Sequence, residues 1–419
     1  MKKIRPSEVS RKKIMEIVKE GTVEAIAGLH RLGQEHLWQE LLEAEVDEHL
    51  QREWYKRSSE PVRGHRNGYY PRKMLVPGEA LNIAVPRIRN AREPFRSRLL
   101  QGVARIAEKV RNVALESYVR GLSTRDIEST FVTDDGTPML SRSTVSRLAE
   151  RLHDEYRSFS QRDLSDIDVV YLFLDGVHEA VRRYTNGQAL MCAWAICSNG
   201  TKQLLHIAPY QAESVEAWSA FCQDLLNRGL RQPLLVISDG SPAIINAITM
   251  KFPRAHRQRC IAHKLRNIMA KLPNDVAKAL IEEFKAVYYA PDRATAEALA
   301  AQVTTKYAAV YPAAVQCFND DLNACLTHLN YPLGHRRYIR TTNMLERTFE
   351  EEKRRTKVFP QHQNERGAVG LVFAVLYRVS QRWIKVSMTP LELTQLRELR
   401  HLVCPAHVEP NYISYRIAS

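Results

Sequence analysis

Residues 233–242 read Pro-Leu-Leu-Val-Ile-Ser-Asp-Gly-Ser-Pro, and they narrow the possible folds more than any composition figure does. An apolar run this short, without alternation and closed by a turn, predicts a strand buried on both faces, the kind found inside sheets covered by helices. Ser241 suits a helix N-cap and Pro242 the first helical turn. The expected order is therefore buried strand, turn, helix, with Asp239 at the carboxyl end of the strand, where open α/β sheets place their chemistry. Asp-Gly is also ordinary turn material, so Asp239 defines a site only if the chain supplies partners for it.

The first partner is a repeat of the same pattern. Residues 168–176, Asp-Val-Val-Tyr-Leu-Phe-Leu-Asp-Gly, predict a second buried strand ending at Asp175. Asn186-Gly187, the apolar run 189–197 and the Ser198-Asn199-Gly200 turn then point to three strands in an antiparallel meander. Residues 214–226 space Val215, Trp218, Phe221, Cys222 and Leu225 helically and predict the crossover to the Asp239 strand. The order β-β-β-α-β-α, with Asp at the ends of the first and fourth strands, is that of a ribonuclease H-like mixed sheet. In that α/β arrangement Asp175 and Asp239 end neighbouring parallel strands and are placed to share a metal.

Phosphodiester chemistry uses two divalent ions about 4 Å apart, held by the hard carboxylate oxygens that Mg²⁺ prefers. Two Asp need a third acid, and the segment 340–356 supplies candidates on a predicted helix. Met344, Leu345, Thr348 and Phe349 form its apolar stripe, with Asn343 as a cap. Glu346 falls beside that stripe, one turn in; Glu350, one turn further, competes with it. Glu351 and Glu352 are expected to pair with Lys353, Arg354 and Arg355. Acids at a helix start also compensate the helix dipole, so the pattern alone leaves the choice open.

The formal charge of +14 over 419 residues points to a polyanionic partner, nucleic acid first. No apolar window is long enough to cross a membrane, and no apolar core follows the basic start, so neither a membrane span nor a signal peptide is expected. Seven scattered cysteines suit reduced thiols in a cytosol. Residues 1–60 predict a helical segment in which Leu37, Leu41, Ala44, Val46, Leu50 and Trp54 share a face, read as core packing rather than self-association. Between residues 51 and 100 twelve Lys or Arg face four acids, with Tyr69 and Tyr70 among them. Residues 72–76, Pro77-Gly78 and residues 81–85 predict a hairpin with basic arms, and Arg63, Arg66, Arg72 and Lys73 are its candidate phosphate contacts. Such a charge run also suits a solvated face.

Helices over 104–119, from Ser123, and from Ser141 predict a helical DNA-reading unit, which with the hairpin makes a DNA-binding region at 61–160. Arg142, Ser143, Thr144 and Arg147 lie on the first turns of the last helix, where a recognition helix meets phosphates and base edges. A plain three-helix packing unit is the alternative. Residues 161–168 read as the junction to a core at 165–270. An all-helical insertion follows at 271–338, with helices at 278–288 and 294–307, and the core resumes at 339–419.

Four segments together resemble the Mutator-type bacterial insertion-sequence transposases with a DDE catalytic triad. They are Leu172-Phe173-Leu174-Asp175-Gly176, Ser238-Asp239-Gly240, Arg259-Cys260-Ile261-Ala262-His263-Lys264-Leu265-Arg266-Asn267, and the stretch from Thr341-Thr342-Asn343-Met344-Leu345-Glu346-Arg347 to Arg354-Arg355-Thr356. Glu213, Trp218 and Arg228-Gly229-Leu230 fit as well. The resemblance covers essentially the whole chain. It implies a ribonuclease H-like core with Asp175, Asp239 and Glu346 as metal-binding catalytic residues, and a helical insertion between Asp239 and Glu346, which 107 positions separate. Expected with it are Mg²⁺ (Mn²⁺ as substitute), double-stranded DNA bearing terminal inverted repeats, target DNA, a homodimer and a bacterial cytoplasmic location. Arg354 and Arg355 join the candidate DNA contacts. The competing readings are a nuclease or resolvase that cuts without strand transfer and a regulator that keeps the fold without catalysis.

Cys260-x-x-His263 belongs to the resemblance and implies support around the active site. Cys404 and His407 repeat the spacing, which raises a Cys₂His₂ zinc site, disfavoured because the pairs lie far apart in sequence. Residues 366–388 predict an apolar closing helix, with Arg378 either snorkelling to water or reaching a phosphate.

Overall fold

In the computed structural model the described residues are 4–20, 23–54, 56, 63–76, 79–91, 94–132, 136, 138–177, 189–356 and 365–403. The chain divides into two compact units, Met1–Ala149 and Glu150–Ser419. The division falls inside one helix, α5, not in the polar stretch 161–168.

The first unit holds α1 (Pro6–Glu20), α2 (Val23–Leu50), an antiparallel hairpin of β1 (His65–Val76) and β2 (Glu79–Arg89), α3 (Arg98–Val119), α4 (Thr124–Thr130) and the start of α5 (Arg142–Ser160). The hairpin is longer than its apolar centre predicts; its Pro77-Gly78 turn lies outside the described residues. Helix α2 packs Leu42 against Met74, Leu81, Ile83 and Val85 of the hairpin. Leu37 and Leu41, expected on the packed face, are 55% and 41% exposed. The reason is polar. Gln39 sits on that face instead and pairs with the edge of β2 through both amide atoms, Nε2 donating to Ala84 O and Oε1 accepting from Ala84 N, each at 2.9 Å. An edge strand left bare would expose unpaired backbone groups, and α2 covers it. Helix α3 begins six residues before its expected start because Ser97 caps it, accepting from Leu100 N at 3.1 Å. Ser123 and Asp126 form a reciprocal capping box on α4.

The second unit is built on a mixed five-stranded sheet in the order β5-β4-β3-β6-β7. Its strands are β3 (Val169–Val177), β4 (Ala189–Cys197), β5 (Lys202–Tyr210), β6 (Leu235–Ser238) and β7 (His256–Arg259). β3, β4 and β5 form the antiparallel meander; β6 lies parallel to β3, and β7 parallel to β6. The crossovers are α6 (Val215–Asn227) and α7 (Pro242–Lys251). Leu172 and Leu174 of β3 face Trp218, Phe221 and Ile244 of those helices. Tyr171 and Phe173 alternate to the other face, where Phe349, Val372, Phe373 and Leu376 cover them. Phe173 stacks on Trp194 at 3.8 Å between ring centroids and 11° between planes. Such a stack is worth about 1 kcal/mol beyond the area it buries.

After β7 come α8 (Ile261–Met269), then the helical insertion: α9 (Asn274–Tyr288), α10 (Arg293–Tyr307), α11 (Pro312–Asn319), α12 (Leu322–Leu326), a 3₁₀ turn and α13 (Leu333–Ile339). The insertion has its own core around Phe284, Tyr288 and Phe318. Buried Gln258 of β7 ties it to the sheet edge, donating to Cys325 O at 2.9 Å and accepting from His328 N at 2.6 Å. The chain then returns to the sheet with α14 (Asn343–Thr356), α15 (Glu365–Ser380) and α16 (Pro390–Val403). The closing helix expected over 366–388 stops at Ser380. Beyond it the chain runs extended past the β4–β5 turn, Val386 N donating to Gly200 O at 2.9 Å, and Trp383 lies 5.3 Å from Trp194. Among the described residues no helix is long and apolar enough to cross a membrane.

Candidate active site

The parallel register of β3 and β6 pairs Tyr171 with Leu235, Leu172 with Val236 and Phe173 with Ile237. Two residues beyond the last pair on each strand stand Asp175 and Asp239. Asp175 continues the period-two face of Tyr171 and Phe173, so it lies on the side of the sheet covered by α14 and α15. Its Oδ1 accepts from Gly176 N at 3.0 Å, and across β4 it pairs with Cys192. Asp239 Oδ1 accepts from Ser241 N at 3.0 Å, an Asx turn that starts α7. Ser241 holds the N-cap position of α7 without a side-chain cap bond, and its own N–H is taken by Asp239.

Cys260 and His263 join this pair. Cys260 caps α8, and its N–H donates to Ser238 O at 2.7 Å, directly before Asp239. Its Sγ accepts from Thr342 N at 3.3 Å and lies 3.4 Å from Thr342 Oγ1. Thr342 is fully buried, immediately precedes α14 and also hydrogen-bonds the Asp175 carboxyl. Burial pushes Asp175 well above the usual carboxylate range; His263 pulls it back, Asp239 and Cys260 add to the rise, and the Thr342 bond lowers it. A buried carboxyl facing a second carboxylate is an arrangement that a divalent cation relieves, and oxygen donors are what Mg²⁺ takes, so the residues fit such an ion. Among the described residues no group of three metal-ligating side chains is present. The backbone of Glu346 lies one turn beyond Thr342 in α14; its side chain is outside the description.

Two features of this centre were not foreseen. Thr342 bridges α14 to both Cys260 and Asp175, a contact between distant segments with no local signal. Gly176 is the other. A Cβ there would lie 1.9 Å from Glu213 Oε1, so the glycine admits a further carboxylate beside Asp175.

The candidate DNA contacts are spread over both units. Arg63, Arg72 and Lys73 are exposed on or beside the hairpin. Arg66 is engaged by Asp47 and by Arg52 O and lies over the Trp54 ring, which commits it to holding the hairpin against α2. At the start of α5, Ser141 Oγ lies 2.9 Å from Ser143 Oγ and 3.0 Å from Thr144 Oγ1, and Arg147 reaches Ser143 O at 3.3 Å. Glu128 of α4 pairs with Arg142 and accepts from its backbone N–H at 3.2 Å, so a carboxylate already occupies this helix start. Arg354 and Arg355 both pair with Glu351, at 2.8 and 2.6 Å; Arg354 remains 72% exposed and Arg355 16%. Arg378 of α15 pairs with Glu155 at 2.9 Å in an exposed ion pair. Cys404 and His407 lie outside the described residues.

Comparison with known proteins bears on most of the chain. The family model described as "Transposase, Mutator family" matches residues 7–386. The transposase for insertion sequence element ISRM5 of Rhizobium meliloti is 31% identical over 367 residues, 87% of this chain and 90% of that protein. The transposase for IS6120 of Mycolicibacterium smegmatis is 33% identical over 271 residues, 64% of this chain and 84% of that protein. The transposase for IS256 in transposon Tn4001 of Staphylococcus aureus is 29% identical over 352 residues, 83% of this chain and 89% of that protein.

Proposed function

The chain belongs to the Mutator family of transposases, and from that premise we propose that it is a metal-dependent DNA transposase with a ribonuclease H-like core. It binds the terminal inverted repeats of a mobile element, opens a phosphodiester with water to leave a 3′-hydroxyl, and joins that hydroxyl to a second phosphodiester in target DNA. The observation that carries the chemistry is the matched pair Asp175 and Asp239 at the ends of adjacent parallel strands, beside the start of the helix that bears Glu346. Mg²⁺, or Mn²⁺ in its place, held by Asp175, Asp239 and Glu346, would supply an activated oxygen nucleophile and a neutralised leaving group. Thr342 and the Cys260–His263 turn orient Asp175 against Asp239. Arg63, Arg72, Lys73 and the polar start of α5 meet the inverted repeat, while Arg354 and Arg355 meet phosphates near the cut. The active species is a homodimer, which sedimentation of the DNA-bound protein checks.

The deciding experiment incubates the full chain with Mg²⁺ and duplex DNA carrying the element's ends, and assays 3′-hydroxyl ends and joined products separately. Asp175→Asn, Asp239→Asn and Glu346→Gln are each expected to lower cleavage at least ~10³-fold, about 4 kcal/mol, with DNA binding retained. Activity that survives Glu346→Gln but not Glu350→Gln would reassign the third acid. Cutting without joining would return the chain to the nuclease reading, and binding without cutting to the regulator.

A further inference from the structure

At the end of the sheet opposite Asp175, the chain forms a cationic groove that the proposed chemistry does not use. Lys202 opens edge strand β5 and pairs with Ile196, four residues along β4 from the Cys192 that faces Asp175. Four residues of rise and two strand spacings put the groove on the order of 15–20 Å from the acids. It is a cavity of about 410 Å³ lined by Arg162, Lys202, Lys385, Tyr377 and Trp383 among others, with no acidic side chain among the described residues of its wall. Arg162 is fixed there, donating to Phe159 O at 3.0 Å, Leu204 O at 2.6 Å and Leu205 O at 3.2 Å. Burial and the charge of Arg228 push its guanidinium down to about 10. Lys202 lies 5.0 Å over the Tyr338 ring, and burial together with Arg337 lowers it as well. Gathering like charges costs free energy, and no described acid in the wall offsets it.

The segment that carries Trp383 and Lys385 follows α15, which packs on α14, the helix of Glu346. Glu351 of α14 pairs with Arg354 and Arg355 and also feels the charge of Arg382, the neighbour of Trp383 in the chain. Ile384, between Trp383 and Lys385 in the chain, is 83% exposed. A path of cations therefore runs from the helix of Glu346, past Arg354 and Arg382, to Lys385 and Lys202.

We propose that this path is a second DNA track, holding the phosphodiester backbone of the duplex that leads away from the cleavage point. Lys202 and Lys385 meet phosphates about five base pairs from the cut, given a rise of about 3.4 Å per pair. Trp383 and Ile384 form the apolar wall against which the backbone lies. The assignment rests on the reading of the chain as a transposase.

The test uses the full chain, a fluorescent 30-base-pair duplex bearing the element's end, and EDTA in place of divalent metal, so that binding is read apart from cutting. Lys202→Ala/Lys385→Ala is expected to make the plot of log K against log [KCl] shallower by about 1.8, at about 0.9 per lost phosphate contact. Lys202→Arg/Lys385→Arg should restore the slope, and hydroxyl-radical protection about five base pairs from the cut should vanish only in the alanine variant. An unchanged slope in the alanine variant, with wild type binding and cutting normally, overturns the track alone. So does a loss that the arginine variant fails to restore, since that points to fold damage rather than charge. If wild type itself binds with no salt slope, the transposase reading fails first.

Discussion

Asp175 and Asp239 stand two residues beyond the Phe173–Ile237 pair on adjacent parallel strands, and only Asp175 is buried. Its carboxyl is held well above the usual range, chiefly by burial. For an acid with a raised folded-state pKa, the unfolded chain gives up its proton first, so stability falls as pH rises past the unfolded value near 3.8. Asp175→Asn removes that penalty. It should stabilise the metal-free protein at pH 7 by on the order of 1–2 kcal/mol while abolishing cleavage. The gain should disappear below about pH 4, where both states are protonated. Urea unfolding of wild type and variant in EDTA at pH 7 and pH 4 checks this; equal stability at pH 7 would mean that the buried carboxyl costs nothing.

The Gly176–Glu213 contact makes a sharper demand on shape. A Cβ at residue 176 would meet Glu213 Oε1 at 1.9 Å and Cδ at 2.6 Å, so Gly176→Ala must push the Glu213 carboxylate away from the end of β3. Cleavage should fall at least ~10-fold, because a misplacement of about 1 Å near reacting groups carries costs of that order or more. Pairing Gly176→Ala with Glu213→Ala should recover stability, as the smaller partner leaves room for the methyl. A double variant no more stable than Gly176→Ala would show that the obstacle is backbone geometry and not the glutamate.

His206 controls part of the response to acid. Its Nδ1 accepts from Arg228 at 3.2 Å and its Nε2 lies 3.3 Å from Asp224. An acceptor nitrogen on one side and a donor on the other is the pattern of a neutral ring. Burial pushes its pKa down; Asp224 opposes the fall, and Arg228 and Arg162 add to it. The unfolded chain therefore takes up this proton more readily than the fold. The stabilisation is complete above the unfolded value near 6.5 and is lost as pH falls through it. The loss runs at about 1.4 kcal/mol per pH unit until the folded value is reached. Buried His328 and half-buried His256 shift the same way, also through burial. The urea midpoint should drop between pH 7 and pH 5, and His206→Gln, which keeps an acceptor for Arg228, should reduce that drop. A variant with the wild-type pH dependence would remove His206 from the account.

The central strands β3, β4 and β6 were legible because they are continuous apolar runs, and a run that ends in Asp-Gly carries both its burial and its turn locally. Residues 172–175 and 235–239 needed no tertiary information. The misreadings share one physical cause. Leu37 and Leu41 looked inward until Gln39 met the open edge of β2 at Ala84, a demand for hydrogen bonds that an apolar pattern cannot register. Trp383 extended the expected closing helix, yet its ring belongs to Trp194, and the chain leaves the helix at Ser380 to pass Gly200. Thr342 and Gly176 matter through partners 82 and 37 positions away, Cys260 and Glu213, and spacing holds no record of such contacts.

Gln258 offers a test of how the insertion is held to the core. Its side chain is fully buried on edge strand β7, with Nε2 donating to Cys325 O and Oε1 accepting from His328 N across the sheet edge. Gln258→Leu keeps the volume roughly but leaves a buried carbonyl and a buried N–H without these partners, at about 1–3 kcal/mol each. Gln258→Glu keeps the acceptor for His328 N; ionised, it loses the donor and buries a charge, and only the protonated carboxyl can donate to Cys325 O again, so it should fall between wild type and leucine at low pH alone. The insertion has its own core around Phe284 and Phe318, so the loss should loosen its attachment before its interior. Hydrogen exchange should therefore rise first at residues 325–328 and in β7, with protection of α9 and α10 retained. Uniform loss of protection across the insertion would mean that Gln258 supports its folding and not merely its docking.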